Sequence, residues 1–387
     1  MPLVPRDEIR ERLKRLKERM EEAGMDAAFL HYKVDYFYFT GTMQDGVLYV
    51  PVDGEPTFFV RRERRRAERE AHITVLPYDL LYQTELKGIK RVGLELDVLP
   101  FNEVGKFRKV MGEREVIDLS PIIKELRRRK SAYEIGMIRK AASIANKVYE
   151  RAKEEIREGM REIELGAILF SYALSLGHEG ILRFRALNYE PYSWHILSGK
   201  TGSIVGYADS PMGGFGLSPA FPAGASRKRI KKGEPILIDF GICYNGYHVD
   251  STRMFAISSV PDLFLKAYSV TKEIEERVLE ALSSGQAGSE AFRLSLKIAE
   301  KRGFAAYFLG YGEHKVRFIG HGIGLELSEL PFVAANSSYG VEEGEVVAIE
   351  PKMVFPRLGA CGIEDTVLLG KGSVQVLTDM DSSFVII

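Results

Sequence analysis

Lys232-Gly233-Glu234-Pro235-Ile236-Leu237-Ile238-Asp239 and Glu343-Gly344-Glu345-Val346-Val347-Ala348-Ile349-Glu350 repeat one another: a Gly-Glu pair, an apolar run and a terminal acid. Runs of this length rich in β-branched and aliphatic residues read as buried strands. Each half of this region therefore delivers one carboxylate at a strand position. Helical periodicities precede both copies. Ile135, Ile138, Ala142, Ala145 and Val148 recur at helical spacing, a second helix is expected over 161–176, and a similar pair over 261–281 and 289–302. One αα-then-β unit used twice accounts for this order.

After the first copy, Asn245-Gly246 signals a two-residue hairpin turn between strands 236–244 and 247–255. That turn sets the register: Tyr244 faces Tyr247, Gly241 faces Asp250, and Asp239 faces Thr252. Asp239 and Asp250 then share one face as diagonal neighbours. Two carboxylates beside apolar strand residues repel and lose hydration unless a proton or metal compensates, although exposed hairpin acids would need neither. Glu350 ends one apolar strand and Glu364 precedes another, Val367–Leu369. His321 lies in Gly320-His321-Gly322-Ile323-Gly324, where small neighbours permit close approach. Four carboxylates and one imidazole form a hard donor set suited to manganese, cobalt, iron or zinc.

Upstream, a charged amphipathic helix over 6–23 ends at Gly24. Short strands are expected at Ala27–Leu30, Tyr36–Thr40, Gly46–Val50, Pro56–Val60 and Arg91–Leu94, a small α/β domain. The basic stretch Lys124–Lys130 reads as a solvated helix face, and Ser131 with Glu134 has capping-box spacing. The chain is thus divided into domains 1–128 and 129–387. Across its 387 residues, 54 Lys and Arg balance 54 Asp and Glu, which removes the electrostatic case for nucleic acid or a membrane surface. No run is long and apolar enough for a membrane helix. Cys243 and Cys361 are too few for a disulfide framework or a thiolate metal site. A cytoplasmic protein acting on a short peptide or small molecule is expected.

Five segments together resemble the creatinase/aminopeptidase P (pita-bread) metallopeptidases: Asp239-Phe240-Gly241, Tyr247-His248-Val249-Asp250-Ser251-Thr252-Arg253, Gly320 to Leu325, Ile349-Glu350-Pro351 and Ile363-Glu364-Asp365. They fall in the family's order and spacing. The resemblance implies an α/β (α+β) fold, with a creatinase-type N-terminal domain and a pita-bread catalytic domain. It also implies two divalent metal ions: Asp239 on one, His321 and Glu350 on the other, and Asp250 and Glu364 bridging both. A water between the ions would become the hydroxide nucleophile, with Glu350 shuttling its proton. Hydrolysis of short Xaa-Pro peptides by a homodimer follows. A hydrolase or lyase of a non-peptide molecule on the same scaffold, and a non-catalytic binding module, are the competing readings.

The chain departs from the family pattern on the substrate side. Ser328 stands where a histidine is usual, Val205-Gly206-Tyr207 replaces a Pro-His pair, and Gly362 stands where prolidase-like members carry a carboxylate-binding arginine. Metal chemistry is thus preserved while recognition is altered. His248, on the face of Asp250, is a candidate replacement imidazole, with hairpin packing as its alternative; His195 is a weaker one. Arg183 and Arg185 are candidate carboxylate clamps, with a solvated strand face as theirs. The Gly/Pro-rich stretch Ser210–Gly224 reads as a loop at the mouth of the site.

Overall fold

The computed structural model describes residues 3–186 and 194–387. The chain forms two compact units, Met1–Arg127 and Arg128–Ile387; the sequence reading put the division at 128/129.

In the first unit, α1 (Arg6–Glu22) buries Ile9, Leu13, Leu16 and Met20, one side of its amphipathic pattern. It ends at Gly24, whose φ of 68° is left-handed. Strands β1 (Ala27–Leu30), β2 (Gly46–Pro51), β3 (Thr57–Val60), β4 (Thr74–Pro77), β5 (Arg91–Leu94) and β6 (Glu115–Asp118) form one sheet in the order β4-β3-β2-β1-β5-β6. Around it lie α2 (Lys33–Thr40), α3 (Arg64–Glu70), α4 (Phe101–Met111) and α5 (Ser120–Arg128). Helix α2 corrects the strand expected at Tyr36–Thr40. Its aromatic residues favour a strand by propensity, but all of Val34–Thr40 is buried, and an apolar run without alternation suits a buried helix equally well. Asp35 inside it pairs with Arg127 at 2.9 Å, both fully enclosed.

The second unit begins with α6 (Ala132–Glu155), whose Ser131–Glu134 capping box forms as the sequence indicates. Then come α7 (Glu162–Ser175), β7 (Trp194–Ser198), β8 (Ile236–Tyr244), β9 (Tyr247–Ala256), α8 (Asp262–Ser283), α9 (Gly288–Lys301), β10 (Phe318–Gly322) and β11 (Glu329–Ala334). Strands β12 (Val346–Ile349), β13 (Lys352–Phe355), β14 (Gly359–Gly362), β15 (Asp365–Gly370), β16 (Ser373–Val376) and β17 (Val385–Ile386) complete it. The duplication is visible in the sheets. One runs β17-β9-β8-β7, the other β11-β10-β12-β15-β16, and each half places a helix pair before its strands. Phe264, Ala267, Ile274, Val278 and Leu282 mark one face of α8 and join a core with Met353, Val354 and Phe355 of β13. Each of the larger side chains here, the alanine apart, contributes about 1.5–3 kcal/mol.

Two residues of the basic stretch, Arg128 and Lys130, are not solvated, while Arg129 between them is exposed. Arg128 pairs with Glu345 at 2.6 Å and Lys130 with the half-buried Glu329 at 2.9 Å; Arg128, Lys130 and Glu345 are buried. Opposed charges brought by distant segments, invisible to a local reading, reverse the expected exposure.

Candidate metal centre

The β8–β9 hairpin has the register read from its turn: Tyr244 opposite Tyr247, Gly241 opposite Asp250, Asp239 opposite Thr252. Asn245 and Gly246 have φ of 48° and 82°, the left-handed pair that a type I′ turn needs. β9 docks onto the second half through reciprocal backbone bonds between Thr252 and Glu364, each 3.2 Å. The Thr252 hydroxyl donates to Glu364 Oε2 at 2.9 Å. Thr366 Oγ1 takes the Asp250 N–H at 3.0 Å and donates to the Asp250 carbonyl at 2.9 Å. Thr252 thus holds Glu364, and Thr366 holds Asp250, at the junction of the two repeats.

His321 occupies β10 between two glycines. At Gly322 a Cβ would come within 2.1 Å of the Leu330 carbonyl, so only glycine lets β11 approach there. His321 Nδ1 lies 3.0 Å from the Gly322 carbonyl, which assigns the proton to Nδ1 and leaves Nε2 as the lone-pair nitrogen, 3.7 Å from Glu350 Oε1. Ligand atoms of Asp250, His321 and Glu364 all lie within 4.8 Å of one another. Glu364 Oε1 is buried and has no hydrogen-bond partner among the described residues. An orphaned buried carboxylate oxygen beside two further donors fits a divalent cation.

Lys352, 1% exposed, was not anticipated as part of this site. Its Nζ is 3.1 Å from Asp239 Oδ2, 2.6 Å from Glu350 Oε2 and 3.1 Å from Glu364 Oε2. The sequence held a signal for it: in the extended segment Glu350-Pro351-Lys352, alternation returns residue 352 to the side of Glu350.

Burial raises the Asp250 carboxyl well above the usual range, and the Asp239 charge adds to that. Glu364 is raised in the same way by burial and by Asp250. At Asp239 burial also pushes upward, but Lys352 and His195 outweigh it and the carboxyl falls below its ordinary value. Lys352 loses hydration, yet Asp239, Glu350 and Glu364 hold its ammonium well above the ordinary range. The four acids cannot all be ionised in this enclosure without added positive charge.

A cavity of about 440 Å³ opens over these groups. Ser328 is in its wall, as are Asp209 and Ser210 at the edge of the Gly/Pro-rich loop. His195 also faces the cavity and sits directly across from Asp239 in the β7–β8 register, so the weaker histidine candidate is the one at the site. His248 is not. It shares the face of Asp250 as parity requires, but the Arg183 and Gly324 backbones hold it: Nε2 accepts from the Arg183 N–H at 3.2 Å and Nδ1 lies 2.9 Å from the Gly324 carbonyl. Its ring is buried and its pKa falls to about 3.

Arg183 and Arg185 are likewise displaced from the expected role. Leu182, Phe184 and Ala186 face the cavity, so the intervening arginines turn away from it, Arg183 toward Cys243 with Nη1 3.6 Å from Sγ. Apolar residues take the cavity side of this extended segment and leave the charges on the other. The arginine that does reach the wall is Arg317, exposed at the rim one residue before β10.

Residues 136–371 match Metallopeptidase family M24, and residues 12–129 match the Creatinase/Prolidase N-terminal domain. The sequence is 31% identical over 376 residues to the Xaa-Pro dipeptidase of Pyrococcus furiosus, covering 96% of this chain and 98% of that one. Among solved structures, the prolidase from Pyrococcus horikoshii superposes with a TM-score of 0.82 at 27% identity, over 97% of this chain and 99% of its own. The Xaa-Pro dipeptidase from Bacillus anthracis gives 0.83 at 26%, over 98% and 100%.

Proposed function

Because the chain belongs to metallopeptidase family M24 and carries a creatinase/prolidase N-terminal domain, we propose that it is a dinuclear metal-dependent peptidase that hydrolyses short Xaa-Pro peptides. The observation that carries this reading is the convergence of Asp239, Asp250, His321, Glu350 and Glu364 on the floor of one cavity. The relatives named Xaa-Pro dipeptidase supply the substrate class. Two divalent ions, manganese, cobalt, zinc or iron, would be held by these five residues, with Asp250 and Glu364 shared; when bound, they supply Lewis acidity toward a scissile carbonyl and an acidified water.

The chain's own groups do the rest. Glu350, beside His321 and in reach of the cavity, moves the proton between the attacking water and the leaving amine. His195 beside Asp239 offers an imidazole toward the developing oxyanion, and Ser328 supplies a hydroxyl where a larger donor would reach further. Gly362 provides no anchor for a substrate carboxylate, so Arg317 at the rim takes that role. Cys243 and Cys361 are free and buried, which fits a reducing, cytoplasmic setting. The reading includes a homodimer, which light scattering checks.

The direct test is a panel of Xaa-Pro di- and tripeptides with Mn²⁺ or Co²⁺. Arg317→Ala should raise KM for free-acid dipeptides roughly tenfold while sparing C-terminal amides, the pattern of a lost carboxylate contact. No cleavage of any member of the panel by metal-loaded protein would end the Xaa-Pro reading.

A further inference from the structure

The carboxylates of the centre are divided between two positive-charge sites. Asp239 Oδ2, Glu350 Oε2 and Glu364 Oε2 surround the Lys352 ammonium at 2.6–3.1 Å. Asp250, His321 and Glu364 make the other group, and the ion pairs of Lys352 among the described residues go to Asp239, Glu350 and Glu364 and not to Asp250. Glu364 belongs to both groups: its Oε2 faces Lys352, and its Oε1 has no hydrogen-bond partner among the described residues.

The lysine is built into this position. Lys352 pairs with Gly362 across β13–β14, and a Cβ on Gly362 would come within 2.6 Å of Lys352 Cγ and 2.7 Å of the Pro351 carbonyl. The missing side chain at 362 is therefore the space through which the lysine stem passes. With all four carboxylates ionised, one ammonium leaves three net negative charges. One divalent ion brings the buried cluster to a single negative charge. A second, added with Lys352 in place, makes it positive.

We propose that the Lys352 ammonium is a resident competitor for one of the two ions: the first ion settles at Asp250, His321 and Glu364, and the second enters on the Asp239 side only by displacing Lys352. The inference rests on the metallopeptidase reading. It makes the two sites unequal in this chain, and it makes residue 352 the determinant of how many ions are held at limiting metal.

The test is a calorimetric titration of metal-free full-length protein with Co²⁺, with bound metal counted after dialysis. Wild type should take one ion tightly and the second at least roughly tenfold more weakly, the scale on which neighbouring groups tune metal affinity. Lys352→Met keeps the stem and removes the charge, and should bring the second ion to within a few-fold of the first; Lys352→Arg should keep the gap. Asp250→Ala should abolish the tight ion in either background. Circular dichroism checks that each variant folds; Lys352→Gln, which also lacks the charge, takes the place of Lys352→Met if the latter does not fold. Two equally tight ions in wild type, or an unchanged gap in a folded Lys352→Met, would overturn the proposal while leaving the peptidase reading intact. Wild type that binds no ion would overturn both.

Discussion

Replacing Arg253 with Met should cost about 4 kcal/mol and weaken metal binding although Arg253 is not itself a proposed ligand. Arg253 is 1% exposed. Its guanidinium donates to Asp365 Oδ1 at 2.7 Å and to the carbonyls of Glu364, Thr252, Asp381 and Thr378 at 2.9, 3.0, 3.2 and 3.3 Å. Met fills similar volume but strands the buried Asp365 carboxylate, and removing one partner of a buried pair costs about 3–5 kcal/mol. Against a total stability of roughly 5–15 kcal/mol that is a large fraction. Because the Glu364 carbonyl loses its donor, metal affinity should fall about tenfold as well. The only tryptophan, Trp194, is stacked on Phe240 at 4.8 Å, so its fluorescence reports the catalytic unit alone during urea unfolding. Asp365→Asn added to Arg253→Met should recover about 2 kcal/mol by neutralising the stranded charge. A single variant within 1 kcal/mol of wild type, or no recovery in the double, would refute the assignment of this pair as the prop beneath Glu364.

Acid should destabilise the protein through His248. The unfolded ring takes a proton near pH 6.5 and the folded ring only near pH 3, so its contribution is complete above pH 6.5 and is lost as pH falls. At pH 5 the loss is about 2 kcal/mol. His248→Gln can still accept from Arg183 and donate to Gly324, and should flatten the pH 5–6.5 slope of the melting temperature; an unaltered slope would contradict this account. At Ser328, substitution to His should raise kcat on Xaa-Pro peptides by roughly tenfold or more if a second imidazole donor, besides His195, strengthens the hold on the oxyanion. A fall in kcat with metal content unchanged would show that the hydroxyl is not a deficit.

What could be read without coordinates was what short-range rules determine. Asn245-Gly246 set the hairpin register, and the register put Asp239 and Asp250 on one face. Parity also placed His248 on that face correctly. It could not say that the Arg183 and Gly324 backbones would hold His248 while leaving Asp250 open to the cavity, because that depends on contacts from distant segments. The same limit explains the buried Arg128 and Lys130, whose partners come from residues 345 and 329. Arg317 and His195 reach the cavity through strand pairing that no local pattern records. Lys352 is different: alternation from Glu350 suffices to place it beside the acids, but an ammonium is no metal donor and so falls outside the donor pattern that marks the site.

The reciprocal bonds between Thr252 and Glu364 have a consequence for motion. They are the stitch where the first repeat's hairpin meets the second repeat's strands, and the proposed ligands on either side of it come from different repeats. Neither repeat owns a complete centre. A bound ion is therefore a clasp across a seam, and by mass action it disfavours every excursion in which the two repeats part. Amide hydrogen exchange at residues 252 and 364 should then slow with metal more than exchange within either sheet, whose ladders do not cross the seam. The proposed chemistry is thereby tied to the one place where the two halves must stay together.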